Sequence, residues 1–140
     1  MNSYEIQIKT VRFLILIFLL VSCNNDQKAE EWYNKGLEKY KSEDYREAIK
    51  DLNKAIKLNP SFEKAFFQRG LSKGLLKDNR GAIADFSKAI KLNPEYVDAY
   101  FWRGASKIDL GDNDGGCLDW SKAGELGDDT VYEFIEKYCN

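Results

Sequence analysis

The stretch from Ala82 to Pro94 (AIADFSKAIKLNP) is written earlier from Ala48 to Pro60 (AIKDLNKAIKLNP) and, in worn form, from Gly116 to Leu126 (GCLDWSKAGEL). The offset is a constant 34 residues: Ala48, Ala82 and Gly116 hold one position, and Asp51, Asp85 and Asp119 hold another. Leu52, Phe86 and Trp120 occupy a third, and Ala55, Ala89 and Ala123 a fourth. A fixed period of this size marks stacked supersecondary units, each unable to bury its apolar face alone. With 44% hydrophobic and 31% charged residues the chain can bury a core, so disorder is excluded.

The units read as helical hairpins. From Ala29 they divide into 29–62, 63–96 and 97–130. In each second half the apolar residues recur at helical spacing, at i, i+4, i+7 and i+8 in Ala48, Leu52, Ala55 and Ile56. Turns are expected at Ser42-Glu43-Asp44, Lys77-Asp78-Asn79 and Gly111-Asp112-Asn113. Asn59-Pro60 and Asn93-Pro94 end helices, because the residue before proline is pushed out of the α region. A last helix, within 131–140, places Tyr132, Ile135 and Tyr138 on one stripe and is expected to cover the open end of the stack.

These residues resemble the tetratricopeptide repeat. The pattern of that family is matched by Trp32, Gly36, Ala48, Leu52, Ala55 and Pro60, and again by Phe66, Gly70, Ala82, Phe86, Ala89 and Pro94. The third copy keeps Tyr100, Gly104, Gly116, Trp120 and Ala123 but has Asp128 where the proline would stand. The resemblance implies an all-α, right-handed α-solenoid of three hairpins with a C-terminal capping helix. It also implies a concave groove, lined by the first helices, that holds a peptide or a partner helix. Position by position, that groove would present Tyr33, Asn34, Leu37, Tyr40 and Lys41 from the first repeat. The second would offer Lys64, Phe67, Gln68, Leu71, Gly74 and Leu75, and the third Asp98, Phe101, Trp102, Ala105, Ile108 and Asp109. Tyr33, Phe67 and Phe101 share one repeat position and are expected to line the groove, the alternative being helix packing; Leu71 and Ala105 are the readiest candidates for packing alone. Chaperone-binding relatives grip a terminal carboxylate with Lys and Asn, but Tyr33 and Leu37 stand at those places in the first repeat. An apolar, aromatic-anchored ligand is therefore expected.

The first stretch reads as an address. Lys9 and Arg12 precede the wholly apolar Phe13–Val21, and Leu20-Val21-Ser22-Cys23 resembles the bacterial lipobox. The apolar run is far short of the ~20 residues that span a bilayer but fits the ~7–15 of a signal-peptide core. The resemblance implies a signal peptide over 1–22, lipidation of Cys23, a polar tether over 23–28 and anchoring to a membrane of the bacterial cell envelope. An uncleaved anchor with Cys23 as a plain thiol is the alternative.

Lys35, Arg69 and Arg103 recur at one position as Asp51, Asp85 and Asp119 do at another. They predict a ladder of ion pairs within or between repeats, against the alternative of two separately solvated rows. If Cys23 carries lipid, Cys117 and Cys139 can form one bridge. They flank the Gly127-Asp128 turn at equal distance, so antiparallel helices would set them side by side. Two free thiols are the other possibility.

Net charge is −2 with both signs interspersed, which offers no pull toward nucleic acid. There is no histidine, so the commonest general base and metal ligand is missing. No Ser/His/Asp set, Walker loop or dinucleotide glycine motif is present. The function expected is non-catalytic binding of a protein or peptide, without cofactor or metal; self-association is the second possibility.

Overall fold

The structure, a computed structural model, describes residues 3–139, and within them says nothing of the side chains at positions 3, 6 and 18–23. Seven helices follow one another among the described residues: α1 (Ser3–Lys41), α2 (Tyr45–Leu58), α3 (Glu63–Leu75), α4 (Asn79–Leu92), α5 (Val97–Asp109), α6 (Asn113–Glu125) and α7 (Val131–Tyr138). Successive helices pack on one another, α1 with α2, α3 with α4 and α5 with α6 as hairpins, and α7 against α6. The three pairs form a row, with α1, α3 and α5 meeting along one side.

The hairpins repeat in detail. Asp44, Asp78 and Asp112 cap the three second helices, their carboxylates accepting from the backbone N–H groups of Glu47, Gly81 and Gly115 at 3.4, 3.0 and 3.0 Å. The turn before each cap needs one left-handed residue: Glu43 (φ 62°), Lys77 (φ 64°) and Gly111 (φ 83°). Only the third uses the residue that adopts it freely. At the far ends, Asn59 and Asn93 leave the helix in extended conformation before their prolines. Gly127 (φ 103°) makes the corresponding turn in the third repeat, where the proline is missing.

Each hairpin is closed by a glycine that receives a large side chain. A Cβ on Gly36 would lie 2.8 Å from the Leu52 side chain, one on Gly70 2.7 Å from Phe86, and one on Gly104 2.8 Å from Trp120. The receiving helix therefore has no room for alanine. Trp120 is buried and donates its indole N–H to the Phe101 carbonyl at 3.0 Å, so its one polar atom is satisfied.

Two of the three expected ion-pair rungs form. Asp85 accepts from Arg69 at 2.5 and 2.8 Å and pairs with Lys73 at 2.7 Å. Asp119 likewise holds Arg103 at 2.6 and 2.8 Å and Lys107 at 2.8 Å. Each guanidinium also reaches back to the preceding repeat, Arg69 to Asn53 and Arg103 to Ser87. One arginine thus ties three helices. The first rung is absent: Asp51 pairs with Lys54 at 2.9 Å, and the Lys35 ammonium lies over the Trp32 ring, 4.2 Å from its centroid. A lysine has no planar fork to match a carboxylate edge to edge, so this pair lacks the two-point hold of the other two.

One further point departs from the sequence reading. The stretch expected to be a tether, 23–28, belongs to α1, and Ala29 just beyond it is fully buried. Its polarity resembles a linker, but no glycine or proline occurs before Gly36, so nothing stops the helix. Upstream, Val11 and Phe13–Ile17 are exposed, and among the described residues no helix is long and apolar enough to cross a membrane. The side chain of Cys23, on which the lipidation expectation rests, lies outside the described ones.

Cys117 and Cys139 are joined in a disulfide with their Cα atoms 5.8 Å apart. It fastens the end of α7 to α6, where Val131 is buried and Phe134 stacks on both Phe101 and Trp120 at 5.2 and 5.5 Å.

Candidate functional site

The side of the row where α1, α3 and α5 meet carries a cavity of about 190 Å³. Its walls are Tyr40 from α1, Leu71 and Leu75 from α3, and Trp102 and Ala105 from α5, with Phe86 behind them. Lys77 and Asp109 stand at its rim, and Asn79 donates to the Asp109 carboxylate at 3.3 Å. The interior is apolar because α3 and α5 turn aliphatic and small residues toward each other here, at Leu71, Gly74 and Ala105.

Gly74 keeps the cavity open. A Cβ there would meet only the Ala82 methyl, at 3.9 Å, an ordinary contact. Glycine in a helix interior costs about 1 kcal/mol relative to alanine, so Gly74→Ala should raise stability by about that amount while narrowing the cavity. Thermal unfolding checks this; a lowered midpoint would mean that the space is not free.

Trp102 is the exposed anchor of the site, with 45% of its surface open. The Phe101 ring stands edge-on to it, centroids 5.4 Å apart and planes at 88°, which holds the indole in place. Beyond Trp102 lies a second, more open hollow of about 410 Å³, bounded by Val97, Asp98, Phe101, Leu126 and Asp128.

Of the residues expected in the groove, the two hollows gather Tyr40, Leu71, Leu75, Asp98, Phe101 and Trp102, together with Gly74, Ala105 and Asp109. Leu71 and Ala105, read as packing residues, are walls of the cavity. The repeated aromatics divide differently from expectation. Tyr33 stacks on Phe62 at 4.9 Å, and Phe67 on Tyr96 at 4.8 Å and Phe86 at 5.7 Å. Both are half-buried rings packed on the residue that closes their own repeat and caps the following helix, Phe62 before α3 and Tyr96 before α5, and of the three only Phe101 bounds either hollow. Ile108 packs into the last core cluster, where it fills the space beside Gly116. Asn34 and Lys64 are exposed and Leu37 is half-buried, and none of the three bounds either hollow. Gln68 is buried, and its side-chain nitrogen makes no hydrogen bond among the described residues.

Sequence reasoning missed Phe86, Lys77, Asn79, Ser106, Leu126 and Asp128 as bounding residues. Most sit on turns or second helices, outside the first-helix positions that were carried over. Burial, with the nearby carboxylates of Glu30 and Glu63, raises the Tyr33 hydroxyl above its usual pKa of 10.0. Tyr96 is raised by burial first, then by Tyr33, Asp98 and Glu63. Among the described residues no group of three His, Cys, Asp or Glu side chains is placed to hold a metal ion.

The model of the tetratricopeptide repeat matches residues 29–62, and a second TPR-repeat model matches residues 76–111. Solved structures agree along most of the chain. The first TPR of Spaghetti (RPAP3) bound to the HSP90 peptide SRMEEVD is similar at 27% identity and a TM-score of 0.79, over 81% of this chain and 92% of that one. The TPR domain of Arabidopsis OM64 is similar at 25% identity and a TM-score of 0.77, over 81% and 94%. The TPR2B domain of yeast Sti1 in complex with pHsp70 is similar at 25% identity and a TM-score of 0.72, over 80% and 93%. No match was found among curated proteins. Tetratricopeptide repeats are thus recognised at residues 29–62 and 76–111, and the fold is the all-helical solenoid of the TPR neighbours, a fold family that is generally a non-catalytic module for protein interaction.

Proposed function

We propose that this chain is a docking module that holds an extended segment of a partner protein in the groove across α1, α3 and α5, and is anchored to an envelope membrane through lipid on Cys23. The observation that carries the docking reading is Trp102, an indole half open to solvent, fixed by Phe101 and standing between two hollows. Rigid aromatic surface beside a preformed cavity is where binding energy concentrates. Similar structures carry peptides: Spaghetti with SRMEEVD and the Sti1 domain with pHsp70. In this chain the cavity beside Trp102 is apolar, and Tyr33 and Leu37 stand at the first-repeat positions where the resemblance implies Lys and Asn in chaperone-binding members.

Trp102→Ala tests it. Partner recovered by crosslinking from native membranes should fall about tenfold, since losing a central anchor of this type costs at least 1–2 kcal/mol. The unfolding midpoint should hardly move, because half the ring is in water. Undiminished recovery would remove the groove assignment.

The anchor rests on Leu20-Val21-Ser22-Cys23 following a short apolar run. Two or three acyl chains, at about 0.8 kcal/mol per buried methylene, anchor stably where one does not. Metabolic acyl labelling should vanish in Cys23→Ala, and persistent label would refute the anchor. Self-association is a second reading, favoured by Leu118 and Tyr132, 72% and 57% exposed near the last helices. Sedimentation of the protein in mild detergent separates the two, a strictly monomeric species counting against assembly.

A further inference from the structure

Charge divides the groove's two hollows, and this narrows what can lie there. The cavity on the α3 side of Trp102 is apolar within, and its rim charges, Lys77 and Asp109, cancel. The hollow on the other side is bounded by two carboxylates, Asp98 and Asp128, and no lysine or arginine bounds it. Neither acid makes an ion pair among the described residues, in contrast to Asp85 and Asp119, each held by an arginine and a lysine. Asp128 only accepts from its own turn, through the N–H and hydroxyl of Thr130 at 3.0 and 2.5 Å. Two helix N-termini open nearby, those of α5 and α7, and each contributes about half a positive charge. Two full negative charges outweigh them, leaving a net charge of about −1 beside the Phe101 and Trp102 rings. Carboxylates set beside aromatic faces recognise a cation.

We infer that the groove selects a basic–apolar peptide segment: one leucine- or phenylalanine-sized side chain in the cavity beside Leu71 and Ala105, and one lysine or arginine in the hollow at Asp98 and Asp128. The inference rests on the docking reading given above. The spacing follows from α5 itself. Asp98 and Ala105 lie along one helix about 10 Å apart, at about 1.5 Å per residue. An extended strand covers that distance in about three residues, so the basic side chain stands about three residues from the apolar one, with the intervening backbone crossing Trp102. The ligand chemistry is thus opposite in sign to that of SRMEEVD, the peptide bound by the Spaghetti repeat.

The test uses short, capped glycine–serine peptides carrying one phenylalanine and, about three residues away, either arginine or glutamate. Their binding to the full chain in mild detergent is read by fluorescence anisotropy. The arginine peptide should bind about tenfold tighter than the glutamate peptide, the size expected for one well-placed charge contact. The double variant Asp98→Asn and Asp128→Asn should shrink that preference to roughly twofold; asparagine can still accept from Thr130, so the turn is kept. Glutamate peptides binding as tightly as arginine peptides, both weakened by Trp102→Ala, would overturn the inference and leave the groove reading standing. Binding of both peptides that is untouched by Trp102→Ala would overturn the groove reading itself. Absence of binding by the arginine peptide would also overturn the inference.

Discussion

Asp85→Ala should lower the free energy of unfolding by about 3 kcal/mol, whereas Asp51→Ala, at the same position of the first repeat, should cost about 1 kcal/mol or less. The difference lies in what each removal leaves behind. Asp85 is nearly buried and neutralises two cations, Arg69 and Lys73, whose side chains are only 17% and 22% exposed. Without the carboxylate these charges stay where water reaches them poorly, and Arg69 loses its two-point hold between α3 and α4. Breaking a buried pair of this kind costs about 3–5 kcal/mol, and the remaining exposure of the cations places the figure at the low end. Asp51 is paired only with Lys54, half exposed, which water can take over. Urea denaturation of the two variants decides it. Equal midpoints would mean that the ladder does not bear on stability.

Opening the Cys117–Cys139 bridge, by Cys139→Ser or by reduction, should cost about 3 kcal/mol, the loop-closure entropy of a 22-residue separation. The loss should be felt unevenly. Besides Val131, α7 is mostly exposed, and its remaining hold is Ile135 in the last core cluster and the stacking of Phe134 on Phe101 and Trp120 and of Tyr138 on Trp120. Amide exchange in α7 should therefore speed up far more than in α2 or α4, whose packing partners are α1, α3 and α5. Uniform exchange across the chain after reduction would contradict the view that the bridge fastens the cap to the row. A loosened cap would also free the Phe101 ring, which touches Phe134 on one side and Trp102 on the other.

The architecture was legible because each repeat writes its close packing in small residues: Gly36, Gly70 and Gly104 face Leu52, Phe86 and Trp120 at constant spacing. The groove was legible only in part. A shared repeat position says that Tyr33, Phe67 and Phe101 do the same thing, but not which thing. The partners Phe62 and Tyr96 were visible at their own constant offset, and their pairing with Tyr33 and Phe67 is what the structure adds. Leu71 and Ala105 look like core by composition, yet they wall the cavity together with Gly74, which has no side chain. The stretch 23–28 reads as a tether because it is mostly polar. Polarity marks solvent exposure, and an exposed stretch without a helix breaker continues the helix.

The central claim is that the open side of this row of hairpins is the docking face. A photo-crosslinking amino acid placed at Leu75, 50% exposed in the cavity wall, and in parallel at Leu118, 72% exposed on α6 and outside both groove hollows, tests it directly. The account predicts one discrete adduct from position 75, lost in Trp102→Ala, and none of that species from position 118. The same adduct from position 118, with position 75 silent, would contradict it.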